Sequence, residues 1–189
     1  MLPNGLDAVC AERPLLLAFL EVIDAALDPA TGLPVRSRID IVRLGRKGVL
    51  PNVWMIERGT DGQFRYRLAG EEVVRNFGRS PRGKTLDDAI GPGAAARYGP
   101  TYETVLAERA IVFHQGAVRR GDRKFYDGFR LFVPVSETGG GDPPRLVLCC
   151  FDRDSVELRA LLEAGLSYDS DVVRSFPLRP AGAGEASGL

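Results

Sequence analysis

The amino-acid sequence predicts an α+β fold in which one antiparallel β-sheet carries helices on one face. Five segments are rich in β-branched and aromatic residues, helical patterns fill the interval between the second and third of them, and the last three strands form a meander. The chain has 189 residues, of which 44% are hydrophobic and 26% are charged. This length and composition are typical of one globular domain.

The charges of the chain balance, with 25 Lys and Arg against 25 Asp and Glu. A protein without a net positive field is a poor candidate for binding nucleic acid. No apolar run approaches the ~20 residues that span a bilayer, and residues 1–12 lack the basic and then apolar order of an export signal. We therefore expect a cytoplasmic protein with neither a nucleic-acid nor a membrane partner.

The first predicted element is an amphipathic helix over residues 14–27. Pro14 suits the first turn of a helix. Apolar residues then recur at intervals of three and four, namely Leu16, Phe19, Leu20, Ile23 and Leu27. Turn formers at residues 28–34 end this helix, and residues 36–50 form a basic connection with room for a short helix. The apolar stripe of the first helix must be buried against some surface.

The hydrophobic period changes to two at residue 52. Residues 52–58 are rich in β-formers, and a glycine-containing turn separates them from the segment FRYRLAG. In that segment Phe64, Tyr66 and Leu68 alternate with arginines. The pattern predicts a hairpin whose second strand turns these three side chains to one apolar face.

Short helices are predicted directly after this hairpin. Residues 71–77 form one helix, which Gly78 is placed to end. Thr85 caps a second helix over residues 86–90, because its hydroxyl can accept from a backbone N–H of the first turn.

A longer helical stretch follows over residues 94–109. Gly99 and Pro100 are expected to interrupt it, since proline lacks the N–H that the helix interior needs. The firmly helical part is therefore predicted as residues 101–109.

Three further strands are predicted over residues 111–119, 124–136 and 145–152. A tight turn joins the first pair, and the flexible loop ETGGGDPP joins the second. A helix over residues 155–166 follows the last strand. The tail has no apolar periodicity and is expected to be disordered.

Several short motifs punctuate these elements, namely RIDI (residues 38–41), Leu50–Pro51, FRYRLAG (64–70), Phe77–Gly78 and RGKTL (82–86). In their order and spacing they resemble a bacterial family of PAS-like domains that are mostly of unknown function. One departure is that members tend to carry proline after the aspartate that is Asp40 here. The resemblance implies a five-stranded antiparallel sheet in the order 2-1-5-4-3, with helices lying across it and often a cavity between.

This resemblance divides the chain into four parts: an N-terminal helix and connection (1–51), a PAS-like core (52–152), a C-terminal helix and extension (153–178) and a tail (179–189). In many PAS domains an N-terminal helix packs on the outer face of the sheet or dimerises. We therefore expect a homodimer that forms through the N-terminal helix or through the sheet face.

The large apolar residues of the core region are the candidates for the wall of a ligand cavity. They are Trp54, Tyr66, Phe77, Tyr102, Phe113 and Phe132. The expected ligand is small and apolar, and the sequence leaves its identity and any cofactor open. Covalent flavin photochemistry in PAS domains relies on an Asn-Cys motif in the helical region, where this chain has no cysteine.

No residue is predicted to be catalytic or to bind a metal. His114 is the only histidine, and we interpret it as a half-buried strand residue rather than a haem ligand or the partner of a catalytic carboxylate. Cys149 and Cys150 are adjacent, so we expect their side chains on opposite faces of a strand, with at least one of them in the core. A thiol switch would need a cationic neighbour that lowers one thiol pKa.

Two sets of basic residues have both a structural and a functional interpretation. Arg65 and Arg67 are interpreted as surface residues paired with acids, and the alternative is that Arg67 binds an acidic ligand group. The basic cluster is interpreted as a solvated hairpin tip and consists of Arg119, Arg120, Arg123 and Lys124.

We therefore expect a stand-alone PAS-like sensor or adaptor that binds a small ligand, a protein partner in signalling, or both. One alternative is a ligand-free protein-interaction module. Another is a cone-shaped α+β isomerase or hydratase that would pair His114 or Tyr126 with a buried carboxylate. Element order disfavours this enzyme, because such folds place their helices first, whereas two strands precede the helices here.

Overall fold

The computed structural model describes residues 1–120, 123–153 and 167–182. In this part of the chain a six-stranded antiparallel sheet is covered by helices on both faces. The five predicted strands are all present, as β1 (Val53–Arg58), β2 (Phe64–Ala69), β3 (Ala110–Arg120), β4 (Arg123–Val135) and β5 (Leu146–Arg153).

The strand order is β2-β1-β5-β4-β3, as the resemblance implies, and a sixth strand, β6 (Ser167–Pro177), follows β3. The sequence pattern does not predict β6, whose residues fall in the expected C-terminal extension. Within the described residues this strand pairs only with β3, and it carries many polar residues, so it lacks the apolar composition of a central strand. The predicted helix over residues 155–166, and the tail from residue 183, lie outside the described residues.

One face of the sheet is covered by α2 (Pro14–Ala25), which follows the one-turn helix α1 (Leu6–Val9). Its residues Leu16, Phe19 and Ile23 are fully buried and share a core with strands β1, β3, β4 and β5. Each such side chain contributes roughly 1.5–3 kcal/mol by leaving water. The prediction of an amphipathic helix is confirmed, and its apolar stripe packs on the sheet of its own chain.

The RIDI motif supplies the start of a helix. Asp40 caps α3 (Ile41–Arg46), and its side chain accepts a hydrogen bond from the Arg43 N–H at 2.8 Å. An aspartate in this position satisfies a backbone donor that would otherwise have no partner. A 3₁₀ turn at Leu50–Asn52 then leads into β1.

The other face of the sheet is covered by three separate helices, α4 (Glu71–Phe77), α5 (Leu86–Ile90) and α6 (Ala94–Glu108). Gly78, with φ 66°, ends α4, and Thr85 and Asp88 form a capping box at α5, as predicted for both boundaries. With 15 residues α6 is the longest helix of the described part of the chain, and no helix there is long and apolar enough to cross a membrane.

The predicted interruption at Gly99–Pro100 is wrong, because α6 continues through both residues. Proline removes one backbone hydrogen bond from the helix interior. In exchange, the part of the helix before Pro100 packs Ala94 and Tyr98 on the core above the sheet, and this burial outweighs the local cost.

A β-bulge corrects the prediction for FRYRLAG. Met55 lies opposite Leu68 and Ile56 lies opposite Tyr66, so Arg67 is an extra residue in β2. Phe64 and Tyr66 therefore face α4–α6, whereas Leu68 packs with the core under α2. Simple alternation predicts one face for all three side chains, and the bulge moves Leu68 to the other.

Gly70 ends this motif where the chain passes from β2 into α4. Its N–H donates to the Val53 carbonyl at 2.7 Å. A Cβ at this position would lie 2.2 Å from the Leu50 carbonyl oxygen and 2.4 Å from that of Pro51. Because φ is −69°, the position needs glycine for close backbone approach rather than for an unusual dihedral angle. Two motifs of the resemblance, FRYRLAG and Leu50–Pro51, therefore contact each other.

We predict that Gly70→Ala lowers the free energy of unfolding by about 1–3 kcal/mol, because the added methyl group must push backbone aside. Urea denaturation followed by tryptophan fluorescence measures this change. Gly99→Ala is the matched control, since a Cβ there meets nothing within 4 Å and alanine favours a helix. Equal stability of the Gly70→Ala and wild-type proteins would contradict the close approach.

Candidate functional site

A set of aromatic side chains fills the space between the sheet and α4–α6, and we call it the helix-side cluster. It comprises Trp54, Phe64, Tyr66, Phe77, Tyr98, Tyr102, Phe132 and Phe151. Neighbouring ring centroids lie between 5.2 Å (Phe64–Tyr102) and 6.2 Å (Trp54–Phe151) apart. These separations are typical of aromatic pairs in direct contact.

Five of the six candidate ligand-binding residues lie in this cluster: Trp54, Tyr66, Phe77, Tyr102 and Phe132. The sixth, Phe113, faces the core under α2, where its ring centroid lies 6.3 Å from that of Phe129. Successive residues of a strand point to opposite faces, so Val112 and His114, rather than Phe113, face the helices.

Phe64 and Phe151 are not among the residues predicted for the site. Both could have been found from spacing, because Phe64 precedes Tyr66 by two residues and Phe151 follows Cys149 by two. Cys149 lies opposite Trp54 in the sheet, which places Phe151 on the same face.

A hydrogen bond between the sheet and α6 lies inside the cluster. The Trp54 Nε1–H donates to the Tyr102 hydroxyl at 3.2 Å, and both side chains are buried. Burial raises the pKa of Tyr102 well above its usual value, so the phenol stays protonated. No acceptor for its own proton is found among the described residues, so this buried hydroxyl retains the capacity to donate.

His114 borders the cluster on β3. Its side chain is 8% exposed, and its ring centroid lies 4.9 Å from that of Phe132. Burial, together with the nearby positive charge of Arg130, lowers the pKa of His114 to about 4. The imidazole is therefore neutral at pH 7, and the structure buries it more fully than the predicted half-buried position.

The two adjacent cysteines belong to different cores. Cys149 faces the helix-side cluster and Cys150 faces α2, as predicted for neighbours on a strand. Burial raises the pKa of both thiols. A protonated thiol is a poor nucleophile, so neither cysteine has the environment of a reactive one.

The arginines of FRYRLAG form ion pairs at the surface. Arg65 contacts both carboxylate oxygens of Asp61, at 2.9 and 2.6 Å, and Arg67 contacts Glu57 at 3.1 Å. The interpretation of Arg65 and Arg67 as surface residues is therefore confirmed. The side chains of the predicted basic cluster at residues 119–124, and of Tyr126, lie outside the described residues.

Residues 24–148 match the sequence model of a family described as PAS domain. The match covers more than half of the chain, which therefore belongs to the PAS domain family. Among solved structures, the chain is similar to one described as the RsLOV d2 variant, with 17% identity, a TM-score of 0.35, and coverage of 77% of this chain and 73% of that chain. No curated protein matches the chain significantly.

We predict that Tyr102→Phe lowers the free energy of unfolding by about 1–3 kcal/mol, because it leaves the buried Trp54 N–H without an acceptor. The substitution also alters the emission of Trp54, the only tryptophan of the chain. Tyr66→Phe is the matched control, since no described residue hydrogen-bonds to that hydroxyl. Equal losses in the two variants would show that the hydrogen bond contributes nothing specific.

A second prediction concerns pH. The unfolded chain protonates His114 near pH 6.5 and the folded chain near pH 4, so between these values the folded state binds fewer protons. The contribution of this histidine to stability is therefore complete above pH 6.5 and is lost as the pH falls towards 4.

Because the chain has a single histidine, its imidazole NMR signal titrates without overlap. We expect a midpoint near pH 4, and His114→Gln should remove this part of the pH dependence of unfolding. A midpoint near 6.5 would contradict the burial of the ring.

Proposed function

We propose that this PAS domain is a sensor that takes up a small, largely apolar molecule within the helix-side cluster and signals through a protein partner, without catalysing a reaction. One observation supports this proposal most strongly. Aromatic rings from both the sheet and the helices surround the buried hydrogen bond of Trp54 with Tyr102. Small-molecule sites are typically lined in this way, by apolar rings and a few placed polar groups.

The helix layer is the side of the domain that can open. Its helices α4 and α5 are short, and glycines with positive φ, namely Gly78, Gly91 and Gly93, end α4 and α5 and precede α6. Short helices depend on tertiary contacts for their stability and open at a low free-energy cost. Since the rings of the cluster contact one another, a ligand would enter by displacing α4–α6 from the sheet. The ligand would shift the equilibrium between the closed and open helix layer only by the difference between its binding free energies for the two arrangements.

Tyr102 supplies a donor for such a ligand. Its hydroxyl is buried, protonated and already engaged as an acceptor by Trp54. A ligand oxygen or nitrogen that accepts its proton would complete its hydrogen bonding. This favours a ligand with an acceptor next to its apolar body.

The absence of catalysis is part of the proposal. In the described part of the chain the buried carboxylate is that of Asp28, which accepts from Thr31 in the turn after α2. The enzyme alternative would pair His114 with such a carboxylate. The observed partners of the Asp28 side chain are Ala30, Thr31 and Arg38, none of which is a histidine, which supports a non-catalytic function.

A second copy of the chain is the partner that we propose for signalling. The apolar stripe of α2 and the sheet face beneath it, which are the expected dimer surfaces, pack on each other within one chain. The dimer would then form at the outer side of α2 and the adjoining α3, where Ile41 and Val42 are 42% and 63% exposed.

A ligand-free interaction module is the second candidate. It is favoured by the direct contact of the rings, since a core that fills its own space needs no ligand. In that case the helix layer would serve only to complete the fold.

Native mass spectrometry of the purified protein tests the proposal. We expect a retained small molecule that is lost from Phe132→Leu and kept by Phe113→Leu, since the first substitution alters the helix-side cluster and the second the opposite face. Circular dichroism checks that both variants fold. A ligand-free wild-type dimer would support the interaction module instead, and a ligand-free monomer would contradict both candidates.

A further inference from the structure

The chain segment that follows β6, residues 178–181, runs from the end of α6 to the turn after α2, and we call it the C-terminal strap. We infer that this strap is a latch on the helix layer. It fixes the C-terminal end of α6 to the α2 side of the domain, so the layer opens from its other end. The inference rests on the proposed function, because it describes how the proposed site opens.

The end of α6 is held by segments outside the helix layer. The Leu178 N–H donates to the carbonyl oxygen of Arg109, the residue that ends α6, at 2.9 Å. On β6, the Ser175 hydroxyl donates to the Glu108 carboxylate, also at 2.9 Å. The Arg109 guanidinium donates to the Gly141 carbonyl at 3.3 Å, in the loop between β4 and β5. The last residues of α6 are therefore bonded to the C-terminal part of the chain and to this loop.

The backbone conformation of Arg109 depends on these contacts. With φ 50° and ψ 46°, it is the one residue other than glycine that has a positive φ in the described part of the chain. A left-handed conformation costs free energy for such a residue and persists where the surroundings determine it. The hydrogen bonds of Arg109 therefore give α6 a defined end point, which serves as its pivot.

The strap is itself anchored on the α2 side. The Leu178 side chain is buried in the core under α2, and the Ala181 N–H donates to the Pro29 carbonyl at 2.9 Å. Gly32, in the same turn as Pro29, lies so close to the strap that a Cβ on it would be 2.2 Å from the Arg179 carbonyl oxygen. Such a close backbone approach requires glycine. The strap therefore joins the end of α6 to the turn after α2.

The N-terminal end of α6 is attached within the helix layer. Asp87 of α5 accepts a hydrogen bond from the Ala95 N–H at 3.0 Å, which links the two helices. Between them lie Gly91 and Gly93, both with positive φ, where the backbone has the freedom of glycine. This end of α6 can therefore move together with α5, while the other end stays with the strap.

The length of α6 turns a small tilt into an opening at one end. A helix rises about 1.5 Å per residue, so Ala94 lies about 22 Å from Arg109 along the axis and Tyr102 about 10 Å. A tilt about Arg109 therefore opens the gap over the sheet about twice as widely at Ala94 as at Tyr102. A ligand would enter beneath the junction of α5 with α6 and reach the Tyr102 hydroxyl from there.

Amide hydrogen exchange of the ligand-free protein, resolved by residue, tests the latch. A helix that is lifted from the sheet loses the packing that keeps it helical, so its amides exchange. Both ends of an unanchored helix fray. In the wild-type protein we expect residues 97–99 of α6 to exchange well before residues 104–108. Equal exchange at the two ends would overturn the inference.

A pair of glycine variants tests the strap without altering α6. The methyl group of Gly32→Ala meets the Arg179 carbonyl, so the turn and the strap must separate. We expect residues 104–108 to exchange at least about tenfold faster, relative to the amides of β1 and β5. Gly48→Ala is the matched control, because Gly48 has nearly the same φ, 70° against 73°, and a Cβ there meets nothing within 4 Å. It should leave the exchange of α6 unchanged.

Two further variants weaken the latch at different points. Leu178→Ala removes its anchor in the core, and Ser175→Ala removes the hydrogen bond to Glu108 at an exposed position. Both should speed the exchange of residues 104–108, and Leu178→Ala should do so more strongly. Circular dichroism checks that each variant folds. If Leu178→Ala does not fold, the Gly32 and Ser175 variants still decide the result.

Uptake of a fluorescent probe separates the latch from the proposed function. 8-Anilinonaphthalene-1-sulfonate binds exposed apolar surface, and its uptake is followed by its emission and by quenching of Trp54, which lies within the site. Gly32→Ala should raise the rate of uptake. If the probe binds but the strap variants leave the exchange of residues 104–108 unchanged, the latch is wrong and the proposed function stands. If the exchange responds but no probe quenches Trp54, the latch stands and the proposed function fails.

Discussion

The burial of the β-sheet on both faces is the constraint on which the rest of the structure depends. Neighbouring residues of the central strands enter different cores, so Cys149 packs under the helices and Cys150 under α2. A sheet covered on both sides needs two layers of helix. In the sequence, the helices of one layer precede the first hairpin and those of the other follow it. The position of a residue along its strand therefore decides which of the two cores its side chain joins, and so whether it can belong to the candidate site.

The two faces differ in chemistry as well as in construction. Under α2 the core is mainly aliphatic, and a 12-residue helix covers it in one piece. Under α4–α6 the core is mainly aromatic and includes the hydrogen bond of Trp54 with Tyr102, the neutral His114 and the Arg130 guanidinium at its edge. Polar groups in a core are costly, so the buried hydrogen bond and the neutral imidazole of this face favour a functional rather than a purely structural role for it.

The same two-sided burial explains which features the sequence could predict. The five strands and short helices could be placed from turn formers and composition, and the strand order from the family motifs. The face of the sheet on which each side chain lies could not be predicted, because in a run such as 146–151 every residue is buried and no alternation is visible. Phe113 was accordingly assigned to the site, while the bulge at Arg67 and the polar edge strand β6 left no clear pattern.

The central claim is that the helix layer opens over a sheet held rigid by α2, and that ligand is taken up on the opened side. Amide hydrogen exchange tests it most directly. The account predicts that α4–α6 exchange through local opening well before α2, and that 8-anilinonaphthalene-1-sulfonate slows exchange in α4–α6 alone. Earlier exchange of α2, or protection by the probe on the α2 side, would contradict it.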